Sequence, residues 1–442
     1  MATDSKNRIP NFSSEREQNE ACSDSAEHEK NQGKHFLNAP DLRFPEFTGE
    51  WQRTTFGECC TPLEYGMNAP AKEYDGKNKY IRITDIDEDT CTYKSDDIVS
   101  PNAVLEDKYK VKKNDILFAR TGASTGKAYL YDEQDGLMYY AGFLIRGNVK
   151  KDYNSKFVFL QTQTQKYKKW VDIMSIRSGQ PGINSQEYSS YKFRVPPSKT
   201  EQDKISSLFA LLDERISTQI RVIDKLKSLM QGLNNELMDN PKWAKVYVGD
   251  FMEFFTTNSL SWEQLCFDKG QVHNLHYGLI HRGLPTMVDC QQISLPYIKE
   301  GSLPKQYVIC KDGDVAFADA SEDTTEVGKA VELTNIKNQD VVCGLHTIHG
   351  RDVKNMTVGG FKGFAFNSKY FHDQLRRIAQ GSKVYSINTD NLKSCHLYIP
   401  SIEKQQKIVG LLSCLQDKIE ISEQELHAYE IQKKFLLKGL FI

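Results

Sequence analysis

The residues best spaced for phosphate chemistry lie in NDILFARTGASTGKAYL (Asn114–Leu130), where an apolar run enters a glycine-bearing loop ending in Gly126-Lys127. A nucleotide-cradling loop needs four residues between its glycines, then Lys and Ser or Thr, then a helix. Here three residues separate Gly122 from Gly126, Ala128 follows Lys127, and KAYLYD has the composition of a strand. A second copy, GDVAFADASEDTTEVGKAVEL, keeps Gly328-Lys329 but carries Glu322, Asp323 and Glu326, which would repel a triphosphate. The expected structure is therefore strand–loop–strand without a bound nucleotide. Five histidines, His273, His276, His281, His346 and His349, crowd the second half. VHNLHYGLIHRG lacks Cys or carboxylate partners at metal-binding spacing, so these read as polar loop residues, and no metal is expected. There is no GxSxG, no GxGxxG at a strand–helix junction and no Asn/Asp-Pro-Pro-aromatic run. No catalytic residue is assigned.

The elements that must position such residues come in two copies within 442 residues. PSKTEQDKISSLFALLDERI (Pro197–Ile216) aligns without gaps to PSIEKQQKIVGLLSCLQDKI (Pro400–Ile419), offset by 203 positions. Ile183-Asn184 matches Ile387-Asn388, NDILFAR matches GDVAFAD, and WQRTTFG echoes WAKVYVG. Repetition on this scale marks a duplicated structural unit. Each copy is a mixed region followed by one long helix. Ser198 and Glu201 have capping-box spacing. Apolar residues then recur at Ile205, Leu208, Leu212, Ile216, Ile223, Leu226, Met230, Leu233 and Leu237, which is one helical face. The second stripe runs through Ile408, Leu411, Leu415, Ile419, Leu426, Tyr429, Leu436 and Leu440, broken only by Lys433 opposite Met230. About 40 residues make a rod of roughly 60 Å. A stripe of that length needs a matching partner, and the other copy supplies one.

The mixed regions read as α+β. KYIRITDID, DILFAR and LMYYAGFLIRG have strand composition; SKFVFLQTQTQKYKKWVDIM and SKYFHDQLRRIAQ have helix composition. The expected organisation is a disordered tail (1–41), a first mixed domain (42–196), a central helix (197–240), a second mixed domain (241–399) and a C-terminal helix (400–442). The net charge of −2 neither announces nor excludes nucleic acid, because binding needs only a local basic face. The polar start and the lack of a long apolar run predict a cytoplasmic chain without membrane contact, with its ten cysteines reduced.

With its duplicated Pro…Glu/Gln-Gln…Ile helix, the LRFPEF…W lead-in (Leu42–Trp51) and the paired NDILFAR/GDVAFAD strands, the chain resembles the specificity subunit of a type I restriction–modification system. The resemblance covers residues 42–442. It implies two tandem target-recognition domains, separated by two long antiparallel coiled-coil helices, each reading half of a gapped double-stranded DNA site. It implies docking of modification (methyltransferase) subunits and restriction subunits, with S-adenosylmethionine, ATP and Mg held by those partners and no cofactor in this chain. Helix pairing and subunit docking fall on Ile205, Leu208, Leu212, Ile216, Leu226, Leu233, Ile408, Leu411, Leu415, Ile419, Leu426 and Leu436. A protein-only coiled-coil adaptor and a nucleotide-hydrolysing enzyme are the alternatives.

Two stretches before the shared Ile-Asn, MSIRSGQPGINSQEY and IAQGSKVYSINTDNL, hold Gly, amides and cations. Gly permits close backbone approach; Arg and Lys bind phosphate or guanine, and Gln or Asn bind adenine. The candidate DNA contacts are Arg177, Ser178, Gln180, Lys383 and Tyr385, joined by Arg120, Thr121 and Lys127. Asp319 stands where Arg120 would be repeated, so the second domain must make a different contact there. QKYKKW (Gln165–Trp170) could track phosphates or simply be a solvated helix face.

Overall fold

A buried glutamine near the start of each long helix accounts for the repeated signature. In the computed structural model, which describes residues 38–323, 326–381 and 384–442, Gln202 and Gln405 are both buried. Gln202 accepts from the Asn154 N–H at 2.9 Å and donates to the Pro196 carbonyl at 3.2 Å. Gln405 accepts from the Val358 N–H at 2.9 Å and donates to the Met356 and Pro400 carbonyls, each at 3.0 Å. Each amide satisfies backbone groups that burial would otherwise leave unpaired, and so fixes the helix start to its own domain.

The helices span Lys199–Met238 and Ile402–Leu440. They pack antiparallel. Asp213 meets Lys433 at 2.8 Å, the Arg215 guanidinium lies 6.0 Å from the Tyr429 ring centre, and Gln219 donates to the Ser422 carbonyl at 2.9 Å. Residue numbers thus rise on one helix as they fall on the other. Ile223 and Ser422 are buried in the middle of the contact. Ile216, Leu226, Leu415, Ile419 and Leu426 are half-buried along it.

The ends of the rod belong to the domains. The first core gathers Trp51, Phe56 and Phe157 around Ile205 and Phe209 of the first helix and Leu437, Leu440 and Phe441 at the end of the second, with Leu208 and Leu436 at its margin. The second core does the reverse. It gathers Phe317, Phe364 and Phe371 around Met238 of the first helix and Ile408 and Leu412 of the second, with Leu233 partly buried against it. Each domain therefore grips both helices. The pairing position expected at Leu411 is instead 47% exposed, and the adjacent Leu412 is the core residue. Adjacent positions lie 100° apart on a helix, and the second domain covers the face that Leu412 occupies.

The Ser198–Glu201 capping box does not form, because Ser198 makes no side-chain cap bond. Glu201 is buried and turns to the LRFPEF lead-in. It takes two bonds from Arg43, both at 2.8 Å, and one from Trp51 Nε1 at 3.2 Å. Leu42 N–H reaches the Gly439 carbonyl at 2.9 Å, so the lead-in holds both helices at once. Lys433, the break in the apolar stripe, is also explained: Asp213 bridges it to Lys156, at 2.8 and 2.6 Å. Burial raises the Asp213 pKa, but the two lysines outweigh it and hold the carboxyl below its ordinary value. At the symmetry-related place the residues are Gln416 and Met230, and Gln416 Oε1 is buried without a hydrogen-bond partner among the described residues.

The two domains share a plan. In each, a strand next to the helices pairs antiparallel across the domain: Gln52–Thr55 with Lys192–Val195, and Ala244–Tyr247 with His396–Ile399. The first main sheet orders Glu64–Tyr65, Leu144–Asn148, Asp115–Ala119 and Ala128–Leu130. The second orders Met252–Phe255, Thr347–Asp352, Val315–Ala318, Ala330–Thr334 and Met287–Asp289. A parallel pair flanks each, Lys79–Ile81 with Met138–Tyr140 and Val272–Leu275 with Asp340–Cys343. Three predicted elements are shorter than expected. LMYYAGFLIRG splits into Met138–Tyr140 and Leu144–Asn148, and KYIRITDID becomes a short strand and a turn over Ile83–Asp85. The helix expected over 155–174 breaks at Gln161–Gln163, after which Thr164 caps Gln165–Met174. Of the tail, residues 1–37 lie outside the described residues.

Candidate nucleic-acid interface

The strand Asp115–Ala119 is wholly buried and delivers Arg120 to the domain surface. A turn over Gly122–Ser124 follows, and the chain returns as Ala128–Leu130. This strand–loop–strand uses its own amides. Gly122 N–H bonds the Pro181 carbonyl at 2.9 Å, Gly126 N–H the Ala119 carbonyl at 3.0 Å, and Lys127 N–H the Ser124 carbonyl at 3.0 Å. Amides committed this way cannot cradle phosphate. Gly126 has φ +91, and a Cβ there would stand 2.5 Å from Val171 Cγ1, so the tight return requires glycine.

The two segments that sequence reasoning selected in the first domain meet here. Thr121 bridges Gly182, Ile183 N–H donates to the Arg120 carbonyl at 2.9 Å, and Tyr188 Oη donates to the Ala119 carbonyl at 2.6 Å. The Gln180 amide covers Gly122. Ser178 and Gln180 are exposed, while Arg120 and Thr121 are half-exposed. Two cations are committed within the chain. Arg177 binds Glu187 at 2.7 and 2.6 Å and the Met174 and Ile176 carbonyls, both at 2.8 Å. Lys127 meets Glu88 at 3.2 Å. Arg177 therefore shapes the 174–188 loop. In QKYKKW, Tyr167 and Trp170 pack on the core while Lys166, Lys168 and Lys169 face outward.

Three residues of this edge went unnoticed in the sequence. Tyr65 lies beneath the Arg120 guanidinium at 4.9 Å. Burial raises its pKa, but bonds from Ser185 and the nearby Arg120 leave it below the ordinary value. Phe143, whose carbonyl accepts from Arg120 N–H at 3.0 Å, and Ile176 are large, exposed apolar groups. Phe143 lies in the turn that divides the single strand expected over 137–147.

The second domain builds the same edge with different groups. Ile387 N–H donates to the Asp319 carbonyl at 2.9 Å, matching Ile183 and Arg120. Asp319 N–H donates to the His346 carbonyl at 3.1 Å, matching Arg120 and Phe143. Tyr385 pairs with Ser321; Lys383 lies outside the described residues. The acidic groups have partners within the chain: His346 Nδ1 lies 3.1 Å from Asp319 Oδ1, and the Lys329 ammonium offsets Glu326 at 2.9 Å. His276 is buried between the Trp262 and Tyr277 rings, at 4.4 and 4.7 Å, and Tyr277 packs on His346. Burial, with His346 and Arg282 nearby, lowers the His276 pKa to about 4, so it is neutral.

Two similar domains, each joining two loops at one edge and mounted at opposite ends of a shared rod, define a two-headed recognition protein. The family described as "Type I restriction modification DNA specificity domain" matches residues 50–228 and 361–430, more than half of the chain, and the chain belongs to it. It is a DNA specificity subunit, a class that carries no catalysis of its own. A "Putative type I restriction enzyme MjaX specificity subunit" from Methanocaldococcus jannaschii is 21% identical over 349 residues, 75% of this chain and 79% of that one. The fold is similar to that of the type I S subunit from M. genitalium, with TM-score 0.58 and 14% identity over 91% of this chain and 99% of that chain. It is also similar to a chain solved in work on "complex assembly and conformational transition of the type I R-M system", with TM-score 0.54 and 15% identity over 88% of this chain and 96% of that chain. Among the described residues no helix is long and apolar enough to cross a membrane.

Proposed function

We propose that the two domain edges read the two halves of a gapped double-stranded DNA target, with the helix pair setting their separation. Arg120, Thr121, Ser178 and Gln180 contact the first half-site, where Lys127 and Arg177 hold the loops in place. Tyr385 contacts the second, on the edge that carries Asp319 and His346; Lys383 is proposed as a contact from the sequence alone. The observation that carries this reading is the matched pair of junctions, Ile183 on Arg120 and Ile387 on Asp319, at opposite ends of one rod. Shared backbone geometry with unlike side chains fits two readers of unlike sequences.

The rod also offers docking surface. Leu211 and Leu229 on the first helix, and Ile421, Ile431 and Phe435 on the second, are exposed apolar residues outside the helix–helix contact. Aligned apolar groups of this kind favour partner helices. We assign them to the modification subunits; the restriction subunits join that complex. S-adenosylmethionine, ATP and Mg belong to these partners, in the cytoplasm. The test is sequencing of methylated adenines in cells carrying the partner genes, with and without this chain. A gapped motif should vanish without it, and Arg120→Ala should relax one half of that motif alone. A motif set unchanged by loss of the chain refutes the reading.

A further inference from the structure

We propose that Cys310, Cys343 and His349 form a metal site of the zinc type, which clamps the loop bearing His346 at the second domain's edge. All three side chains are buried, and their ligand atoms lie within 4.8 Å of one another. The two Sγ atoms are 3.6 Å apart. Tetrahedral zinc with bonds of about 2.3 Å to sulfur sets a sulfur–sulfur edge of roughly 3.8 Å. Thiolates favour zinc among soft and borderline ions, and imidazole suits zinc as well.

The surroundings fit a metal ligand set. Asp314 Oδ2 accepts from His349 Nε2 at 2.7 Å, which leaves Nδ1 as the donor toward metal. A carboxylate behind a ligating histidine is the usual orienting partner. Asp314 is itself held by Arg351 at 2.6 and 2.8 Å and by Lys311 N–H at 2.8 Å. Metal binding takes both cysteines as thiolates and His349 Nδ1 without a proton, so the loaded core of ion and two thiolates is neutral and suited to burial. Asp314 and Arg351 also line a neighbouring cleft of about 410 Å³.

The first domain supplies an internal comparison. Cys310 N–H bonds the Val341 carbonyl as Val111 N–H bonds that of Met138, both at 2.8 Å. The paired strands place His349 where Arg146 stands, and Cys343 where Tyr140 stands. There the trio is Val111, Tyr140 and Arg146, with the guanidinium 5.2 Å from the Tyr140 ring centre. Asp115 keeps the place of Asp314. All three donor positions thus differ together between copies, while the carboxylate behind them stays.

Cys343 and His349 bracket a turn whose tip is His346, at φ +53 and 3.1 Å from Asp319. A metal joining both ends of that turn fixes the second edge and leaves the first untouched. The clamp role rests on the DNA reading above; the metal site does not.

The test uses the full-length chain purified under reducing conditions, loaded with zinc or cobalt and dialysed. One zinc per chain is expected by elemental analysis. The cobalt form should show tetrahedral visible bands and a thiolate charge-transfer band, lost in Cys310→Ser and Cys343→Ser and kept in Cys266→Ser. Asp314→Asn should weaken metal affinity by roughly 10–100-fold. Wild-type chain without stoichiometric metal, or a Cys310–Cys343 disulfide in chain isolated without oxidant, overturns the site, and neither readout depends on a variant folding. If metal binds but its removal leaves second half-site binding unchanged, the clamp is overturned.

Discussion

Removing seven residues from each long helix should shorten the gap of the DNA target by about three base pairs. The design follows from the antiparallel register. Gln219 faces Ser422 and Glu425, while Asp213 faces Lys433 nearer the first domain. Deleting Ser217–Ile223 together with Ser422–Ala428 takes facing segments from the middle and leaves each domain with its own ends of both helices. Seven residues are about 10.5 Å of helix and fall about 20° short of two turns, so the packing faces stay aligned. Base pairs stack about 3.4 Å apart, which gives the three. Three base pairs also turn the half-sites by roughly 100° about the DNA axis, so affinity should fall along with the change of spacing. The assay is sequencing of methylated adenines in cells carrying the doubly deleted chain and its partner subunits. A methylated motif with an unchanged gap would refute the ruler. Deleting Ser217–Ile223 alone should abolish folding of the rod, because each domain core takes residues from both helices.

Glu201→Ala should destabilise the chain by about 1.5–3 kcal/mol, since it takes the carboxylate from the half-buried Arg43 guanidinium and from Trp51 Nε1; a urea midpoint like wild type's would contradict the clasp. Gly126→Ala forces a side chain into φ +91 against Val171. We expect a cost of about 2–4 kcal/mol from strain and overpacking, with binding lost at the first half-site and kept at the second. The His276 pKa of about 4 lies below the unfolded value of about 6.5. Its contribution is therefore fully present above pH 6.5 and is lost as pH falls toward 4, at up to about 1.4 kcal/mol per pH unit. His276→Asn should flatten that part of the stability–pH curve; identical curves for both proteins would exclude His276 as the cause.

The duplication, the two rods and the loop pairs were legible because they are local or periodic. Ile205 and Ile408 recur at the repeat offset, and helical spacing exposes the stripe. What stayed hidden depends on distant partners. Glu201 has capping-box spacing, yet Arg43, 158 positions away, claims its carboxylate. Leu411 and Leu412 differ by one step on the helix, and only the shape of the second domain decides between them. Arg177 looks free in sequence until Glu187 folds back onto it. Cys310, Cys343 and His349 have no motif spacing, because strand register rather than chain proximity gathers them.

The Asp213–Lys433 bridge bears on how a duplicated chain avoids its own mirror pairings. If two copies of the first helix met in the same register, Asp213 would face Met230 in both places. If two copies of the second met, Lys433 would face Gln416. Only the unlike pair gives the carboxylate its ammonium, with Lys156 completing the triad. Opposite charges, one in each copy, thus favour the unlike helix pair over either like-with-like pair.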